Sequence, residues 1–192
     1  MSEIIKPGAA LLFMKVGAHA RENLDDIFER KAKEIEDTGF AMWGYGGNTC
    51  HPRTMVQPFA EEFAPRGPIY LCMQEMQSSH WAEPLRAHEY SPDGIDWRKI
   101  PDTINVKGSR FALVIKNLRR EKLTLPLART QVAVGNSRGK LGSRYVQGRV
   151  DKACLQVMPQ PQLVNDQRGI ETDIDLIAEL AEPFAVFLRD PR

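Results

Sequence analysis

The sequence predicts an α+β fold, in which a twisted, largely antiparallel β-sheet or a small β-barrel carries flanking helices. Short apolar runs bounded by glycine, proline or polar residues predict strands at residues 9–16, 69–73 and 109–117. Apolar residues at helical spacing predict helices between and after these strands. The 192 residues are enough to bury the core of one domain, and a composition of 42% hydrophobic and 27% charged residues is typical of soluble proteins.

Three helices are predicted, at residues 23–38, 53–63 and 171–188. Asn23 can cap the first turn of the first helix, and Gly39 can adopt the left-handed conformation that ends it. Pro58 lies inside the second helix and is expected to kink or shorten it. In the third helix, Thr172 can serve as the N-cap, and apolar residues follow it at helical spacing.

From residue 104 onward, closely spaced strands separated by glycine turns indicate an antiparallel meander or a small barrel. Residues 145–150 alternate in character, which predicts a strand with one buried face. The Pro-Gln-Pro-Gln sequence at 159–162 is interpreted as a spacer. We therefore predict a single α+β domain at 1–158, followed at 159–192 by a spacer and a C-terminal helix that packs on the domain or on another subunit.

Positive charge is concentrated in one part of the chain. The net charge is +1, but residues 104–152 hold twelve lysines and arginines against two acids, a net charge of +10. Such an asymmetry predicts a surface for phosphates or another polyanion. The alternative is that these cations pair with acidic helices of the same molecule or of a second copy.

Residues 43–52, Trp-Gly-Tyr-Gly-Gly-Asn-Thr-Cys-His-Pro, combine backbone freedom with reactive side chains. The N–H groups of Gly44, Gly46 and Gly47 can hold a phosphate, and the two aromatic rings can stack on a base. The alternative is that Trp43 belongs to the core and the glycines only form a turn. The predicted ligand-binding residues are Trp43, Gly44, Tyr45, Gly46, Gly47, Asn48, Lys15, Arg53, Lys107, Arg110, Arg138, Lys140 and Arg144.

Cys50 and His51 are the candidate catalytic residues of an alternative function, a nucleotide-directed hydrolase. A thiol close to a helix N-terminus is activated as a nucleophile, and Cys50 precedes the second predicted helix. His80 or His88 could assist by acid–base chemistry. The four histidines show none of the tight spacings of a metal site, so no metal site is predicted and no cofactor is assigned.

The order of the predicted elements, with Trp43-Gly44 after a helix and basic strands across 107–149, is loosely similar to PUA-like barrels, including the EVE and ASCH types. In those families a small curved β-barrel carries flanking helices and binds RNA or modified bases in a basic, aromatic-lined cleft. The resemblance implies a barrel and a base-binding role, and no site residue is carried over from it.

The leading functional hypothesis is a binding domain for a nucleotide or nucleic acid, formed by the 43–52 loop and the basic surface. A further alternative is a structural subunit of a homo-oligomer or a larger assembly. Three widely spaced cysteines, and a start that lacks the basic-then-apolar order of a signal peptide, predict a cytoplasmic protein. Apolar runs far shorter than the roughly 20 residues of a membrane-spanning helix predict no membrane association.

Overall fold

One mixed sheet dominates the computed structural model, which describes residues 2–46, 52–77, 81–148, 150–160 and 170–191. The strands within these ranges are β1 (Ala10–Val16), β2 (Ala41–Gly44), β3 (Ile69–Glu75), β4 (Glu89–Ser91), β5 (Arg98–Lys99), β6 (Phe111–Leu125), β7 (Thr130–Val132), β8 (Lys152–Val157) and β9 (Thr172–Arg189). The α-helices in the same ranges are α1 (Leu24–Thr38), α2 (Arg53–Phe63) and α3 (Gly142–Tyr145). The predicted α+β class is confirmed.

The sheet runs in the order β2-β6-β9-β3-β1-β8-β7, and β4 pairs with both β9 and β5. β1 and β3 are parallel. The other paired strands among the described residues are antiparallel. The predicted twisted, mostly antiparallel sheet is therefore present as an open sheet, and closure into a barrel is not shown by the described strands.

The sheet curls so that β2, at one edge, approaches β8, which lies next to the other edge strand β7. Lys152 Nζ, at the start of β8, donates to the carbonyl of Gly46, two residues beyond β2, at 2.5 Å. In a flat sheet, five strand spacings would separate β2 from β8 by roughly 24 Å. The curl therefore brings into contact segments that lie far apart in the strand order.

The first two predicted helices both form. Asn23 Oδ1 accepts from the backbone N–H of Asp26 at 2.8 Å, and Gly39 ends α1 in the left-handed conformation. α2 has the predicted bounds and continues through Pro58. No helix in the described parts of the chain has the length and the apolar character needed to cross a membrane.

Both faces of the sheet are buried. Leu12 of β1 packs in a core that includes Ile27 of α1 and Phe59 of α2. Phe13, the next residue of β1, belongs to a separate core on the opposite face. The strands near the middle of the sheet are therefore apolar on both sides, and their sequences carry only a weak alternating pattern.

The predicted C-terminal helix at 171–188 is wrong, because these residues form β9. Asp173, Ile174, Asp175 and Leu176 alternate between polar and apolar, a period-two pattern that coexists with the helical one. β9 is hydrogen-bonded to β3, β4 and β6 inside the sheet. This pairing outweighs the helix propensity of its alanine, glutamate and leucine residues.

The predicted strand at 145–150 is also wrong. Tyr145 is the last residue of α3, and β8 begins at Lys152. Gly148 has a positive φ of 57°, which is incompatible with an extended strand. Alternation over so few residues did not distinguish a strand from an irregular turn.

Candidate functional site

A cavity of about 340 Å³ opens where β1 and β2 end. Lys15 comes from the end of β1, and Lys107 comes from the segment before β6. β8 pairs with β1 and contributes to the same wall, and the curl of the sheet brings the end of β2 to these two strands. The predicted ligand-binding residues that line this cavity are Lys15, Trp43, Gly44, Gly46 and Lys107.

Gly44, at the end of β2, lets the side chain of Ser109 lie against its backbone. A Cβ atom at this position would lie 2.6 Å from Ser109 Oγ. Glycine permits this close approach of two chain segments, and both residues line the cavity. A side chain at Gly44 would force the Ser109 hydroxyl to rotate away from this position.

Both aromatic residues of the predicted loop belong to the same buried core, which agrees with the alternative that places Trp43 in the core. Trp43 lines the cavity, although only 6% of its surface is exposed. Tyr45 is 1% exposed and lies in the core, with the Lys152 ammonium 4.8 Å from its ring centroid. Trp43 is thus a core residue at the edge of the cavity, and the ring of Tyr45 supports Lys152 by a cation–π contact.

Lys152 is a cavity residue that the sequence pattern did not single out. Its side chain is almost fully buried, and its ammonium lies 3.8 Å from the carboxylate of Asp151. The register of β8 against β1 pairs Lys152 with Met14, beside Lys15. A single lysine at the start of a strand carries no sequence signal for a site, so only the fold could locate it.

An ion-pair network forms one wall of the cavity. Glu22 accepts from Lys107 at 2.6 Å and also pairs with Arg30. Burial opposes ionisation of Glu22, but the hydrogen bonds from Lys107 and Arg30 outweigh it and hold the pKa of this carboxyl below its usual value. The preceding turn places Glu22 through Ala20 and Arg21, two non-glycine residues with positive φ.

Lys31 extends the network towards the core. Its ammonium donates to Glu34 at 2.9 Å and to the carbonyl of Asn105 at 2.7 Å. Burial lowers the pKa of Lys31 to about 8, and the attraction of Glu34 opposes this effect. The Lys31–Glu34 pair therefore fixes the Asn105 segment against α1 and holds this part of the wall in place.

Two acceptor atoms in the wall have no hydrogen-bond partner among the described residues. They are Asn105 Oδ1 and Asp151 Oδ1, and both atoms are buried. A buried acceptor without a donor is costly, so each is a candidate to receive an N–H or O–H group of a ligand. The wall thus combines ammonium groups with acceptors.

Two other predicted cations lie outside this cavity. Arg53 stacks on the ring of Phe187 at 4.1 Å and donates to the carbonyl of Ala185, so it ties α2 to β9. Burial lowers the pKa of Arg53. Arg110 lines a second cavity, of about 750 Å³.

Arg138, Lys140 and Arg144 line neither cavity. Arg138 pairs with Glu62 of α2 at 2.7 Å. The ammonium of Lys140 lies 5.9 Å from the ring of Tyr145, and Arg144 lies on α3. The structure therefore brings together the part of the predicted set near β1 and β2 and leaves these three cations elsewhere.

Several cations of residues 104–152, the basic part of the chain, pair with acids of the same molecule. Arg120 lies 2.5 Å from Asp25 of α1, and Lys122 pairs with Asp175 of β9. This is the internal pairing that the sequence left as an alternative to a polyanion surface. The role of a structural subunit in a larger assembly stays a prediction.

Residues 47–51 of the predicted loop lie outside the described residues, and they include the predicted site residues Gly47, Asn48, Cys50 and His51; His80 lies outside as well. Their predicted binding and catalytic roles stay predictions, as does the hydrolase function that depends on Cys50 and His51.

The remaining thiols are buried. Burial raises the pKa of Cys72 to about 12 and raises that of Cys154 as well, so neither carries an appreciable thiolate fraction at neutral pH. His88 Nδ1 lies 3.4 Å from Asp190 and does not line the first cavity. The described ranges contain no cluster of three or more histidine, cysteine, aspartate or glutamate residues that could hold a metal ion.

Comparison of the chain with protein-family models, with curated proteins and with solved structures finds no match. The function is therefore inferred from the geometry and the chemistry of the cavity.

Proposed function

We propose that this protein binds a nucleotide or a nucleic acid, with one nucleotide seated in the cavity at the ends of β1 and β2. The observation that carries the proposal is that Lys15, Trp43, Gly44, Gly46 and Lys107, predicted as ligand contacts from the sequence, line one cavity. Its volume of about 340 Å³ falls within the usual range of small-molecule sites.

The lysines of the wall differ in the strength of the hydrogen bonds and ion pairs that they already form within the protein. Lys107 is hydrogen-bonded to Glu22, whereas Lys15 Nζ makes a 3.4 Å contact with the carbonyl of Gly148. Lys152 is held between the Gly46 carbonyl and the Asp151 carboxylate. Lys15 is therefore the cation most readily redirected to a phosphate, and Lys152 supplies positive field beside it.

The same wall offers contacts for a base. Trp43 is the aromatic residue of the wall, with 6% of its surface exposed, and Asn105 Oδ1 and Asp151 Oδ1 are acceptors for ring N–H or exocyclic amino groups. A nucleotide combines an anion, a planar ring and hydrogen-bond donors in one molecule. That combination matches the three kinds of group in the cavity wall.

A salt titration with AMP and CMP tests the proposal. We expect binding at low salt that weakens as the salt concentration rises, because phosphate contacts release counterions and are screened. Absence of binding to either nucleotide at low salt, or an affinity that does not change with salt, would contradict the proposal.

A pair of lysine variants locates the site. Lys15→Ala should lower nucleotide affinity by about tenfold, the typical worth of a charge-assisted hydrogen bond. Lys140→Ala removes the same charge from a surface outside the cavity and should leave the affinity within about twofold. Equal losses in both variants would show a nonspecific charge effect.

A further inference from the structure

The second cavity adjoins the first at residues 107–110, which contribute to the lining of both. Ser109 lines both cavities, Lys107 lines the first, and Gly108 and Arg110 line the second. Gly108 has a positive φ of 65°, and a Cβ there would lie 2.9 Å from the Cβ of Ala82. A glycine is thus required for this segment to run as a thin partition between the two cavities.

The second cavity contains an unsatisfied cationic donor. Arg86 donates to the carbonyls of Asp102 and Ile104 at 2.6 and 2.8 Å. Its Nε atom is nevertheless buried and has no acceptor among the described residues. A guanidinium N–H in this state is a ready donor for a phosphate or carbonyl oxygen of a ligand.

Two further arginines line the same cavity. Arg110 is exposed to solvent. Arg189 pairs with Glu89 at 2.6 Å and stacks on the ring of Trp97 at 3.9 Å. Carboxylates also border the cavity, at Glu83 and Asp190, so its charge is mixed. Because Arg189 is already paired, Arg86 and Arg110 are the residues available to contact an anion.

Large apolar side chains are exposed at this surface. Leu85 lines the second cavity and is 73% exposed. Trp81, which precedes the Ala82 that contacts Gly108, is 69% exposed. An exposed aromatic side chain beside arginines is typical of surfaces that stack the bases of a single strand, and Leu85 adds apolar contact area.

We propose that the two cavities form one path for single-stranded nucleic acid, an inference that rests on the proposed nucleotide-binding function. One nucleotide occupies the cavity beside Trp43, and the strand continues past Ser109. Neighbouring phosphates then contact Arg110 and Arg86, and neighbouring bases meet Leu85 and the exposed tryptophan. The preferred ligand is an oligonucleotide and not a free nucleotide.

The length dependence of affinity tests this inference. Labelled oligoadenylates of one to eight nucleotides, in ribo and deoxy forms, are titrated at constant low salt. We expect the affinity to rise at least about fivefold beyond the mononucleotide, since each stacked base adds to binding. The two sugar forms show whether the strand is RNA or DNA.

Arginine variants then show where the added nucleotides bind. Arg110→Ala should lower oligonucleotide affinity by about threefold to tenfold and leave mononucleotide affinity unchanged. Arg144→Ala, which removes the same charge from a position outside both cavities, is the control and should have little effect on either. Thermal unfolding verifies that both variants are folded.

The outcomes separate the two proposals. Mononucleotide binding without any gain from length, or equal losses in Arg110→Ala and Arg144→Ala, overturns the continuous path and leaves the nucleotide site standing. Absence of mononucleotide binding overturns the nucleotide site, and with it the path that begins there.

Discussion

Lys31 is an almost fully buried cation, with 3% of its side chain exposed. It lies four residues after Ile27 and four before Ile35, so it falls on the apolar face of α1. That position could have indicated its burial from the sequence. The hydrogen-bond partner Asn105 could not be predicted from the sequence, because it is brought to Lys31 by the tertiary fold.

The burial of Lys31 predicts a rise in stability at alkaline pH. Its pKa is about 8 when folded and near its usual 10.5 when unfolded, so the unfolded chain binds more protons between these values. The free-energy cost of burying the charged ammonium is therefore full below pH 8, and it is relieved as the pH rises towards 10.5. Relative to Lys31→Met, the wild-type free energy of unfolding should increase across this window by up to ~3 kcal/mol.

Urea unfolding at several pH values measures this difference, because the other titrating groups are common to both chains. Lys33→Met is the control, since Lys33 lies on the same helix with 72% of its side chain exposed. A wild-type-minus-Lys31→Met difference that stays flat from pH 8 to pH 10.5 would contradict the assignment.

At the scale of elements, the predictions that succeeded depend on local signals. The limits of α1 follow from Asn23 and Gly39, whose roles need only neighbouring residues. The prediction for residues 171–188 failed because this sequence fits both a helical and a period-two pattern, and because the strands that pair with β9 lie far away in the chain. Sequence pattern alone could not choose between them, since the choice is made by the pairing of β9 with β3 and β6.

Asp175 provides a test of β9 as a central strand. Its carboxylate accepts from the backbone N–H of Glu75 at 2.7 Å and pairs with Lys122 of β6. Asp175→Ala should lower the free energy of unfolding by about 1–2 kcal/mol, because a charge-assisted hydrogen bond between strands is lost. Asp173→Ala, at a more exposed position of the same strand, should change it by less than about 0.5 kcal/mol.

Chemical denaturation of the two variants gives this comparison. If residues 171–188 formed an exposed helix, Asp175→Ala and Asp173→Ala would both leave the free energy of unfolding nearly unchanged. Equal, small effects would therefore contradict the described pairing of β9.

At the scale of the whole molecule, the candidate site exists because the sheet curls. The loop residues of the 43–52 segment were recognisable from their glycines and aromatics, and Lys15 and Lys107 from their charge. That these residues share one cavity with Lys152 follows from the strand order, which no local pattern in the sequence encodes.

Lys152→Met tests how much the contacts of this lysine stabilise the approach of β2 to β8. Methionine can fill a similar volume, but it cannot donate to the Gly46 carbonyl or make the cation–π contact with Tyr45. We expect a loss of about 1–3 kcal/mol in the free energy of unfolding and faster amide hydrogen exchange in β2 and β8. Lys140→Met should change neither quantity, and unchanged exchange in Lys152→Met would contradict a role in holding the two ends together.

The position of β9 in the strand order also has a consequence for synthesis on the ribosome. Without residues 172–189, the described strands fall into three separate ladders: β2 with β6, β4 with β5, and β3, β1, β8 and β7 together. The nascent chain therefore presents unpaired, apolar strand edges until β9 emerges and joins the ladders. We expect late, slow folding with a need for protection from aggregation during translation, since strand pairing across such long sequence separations is slow.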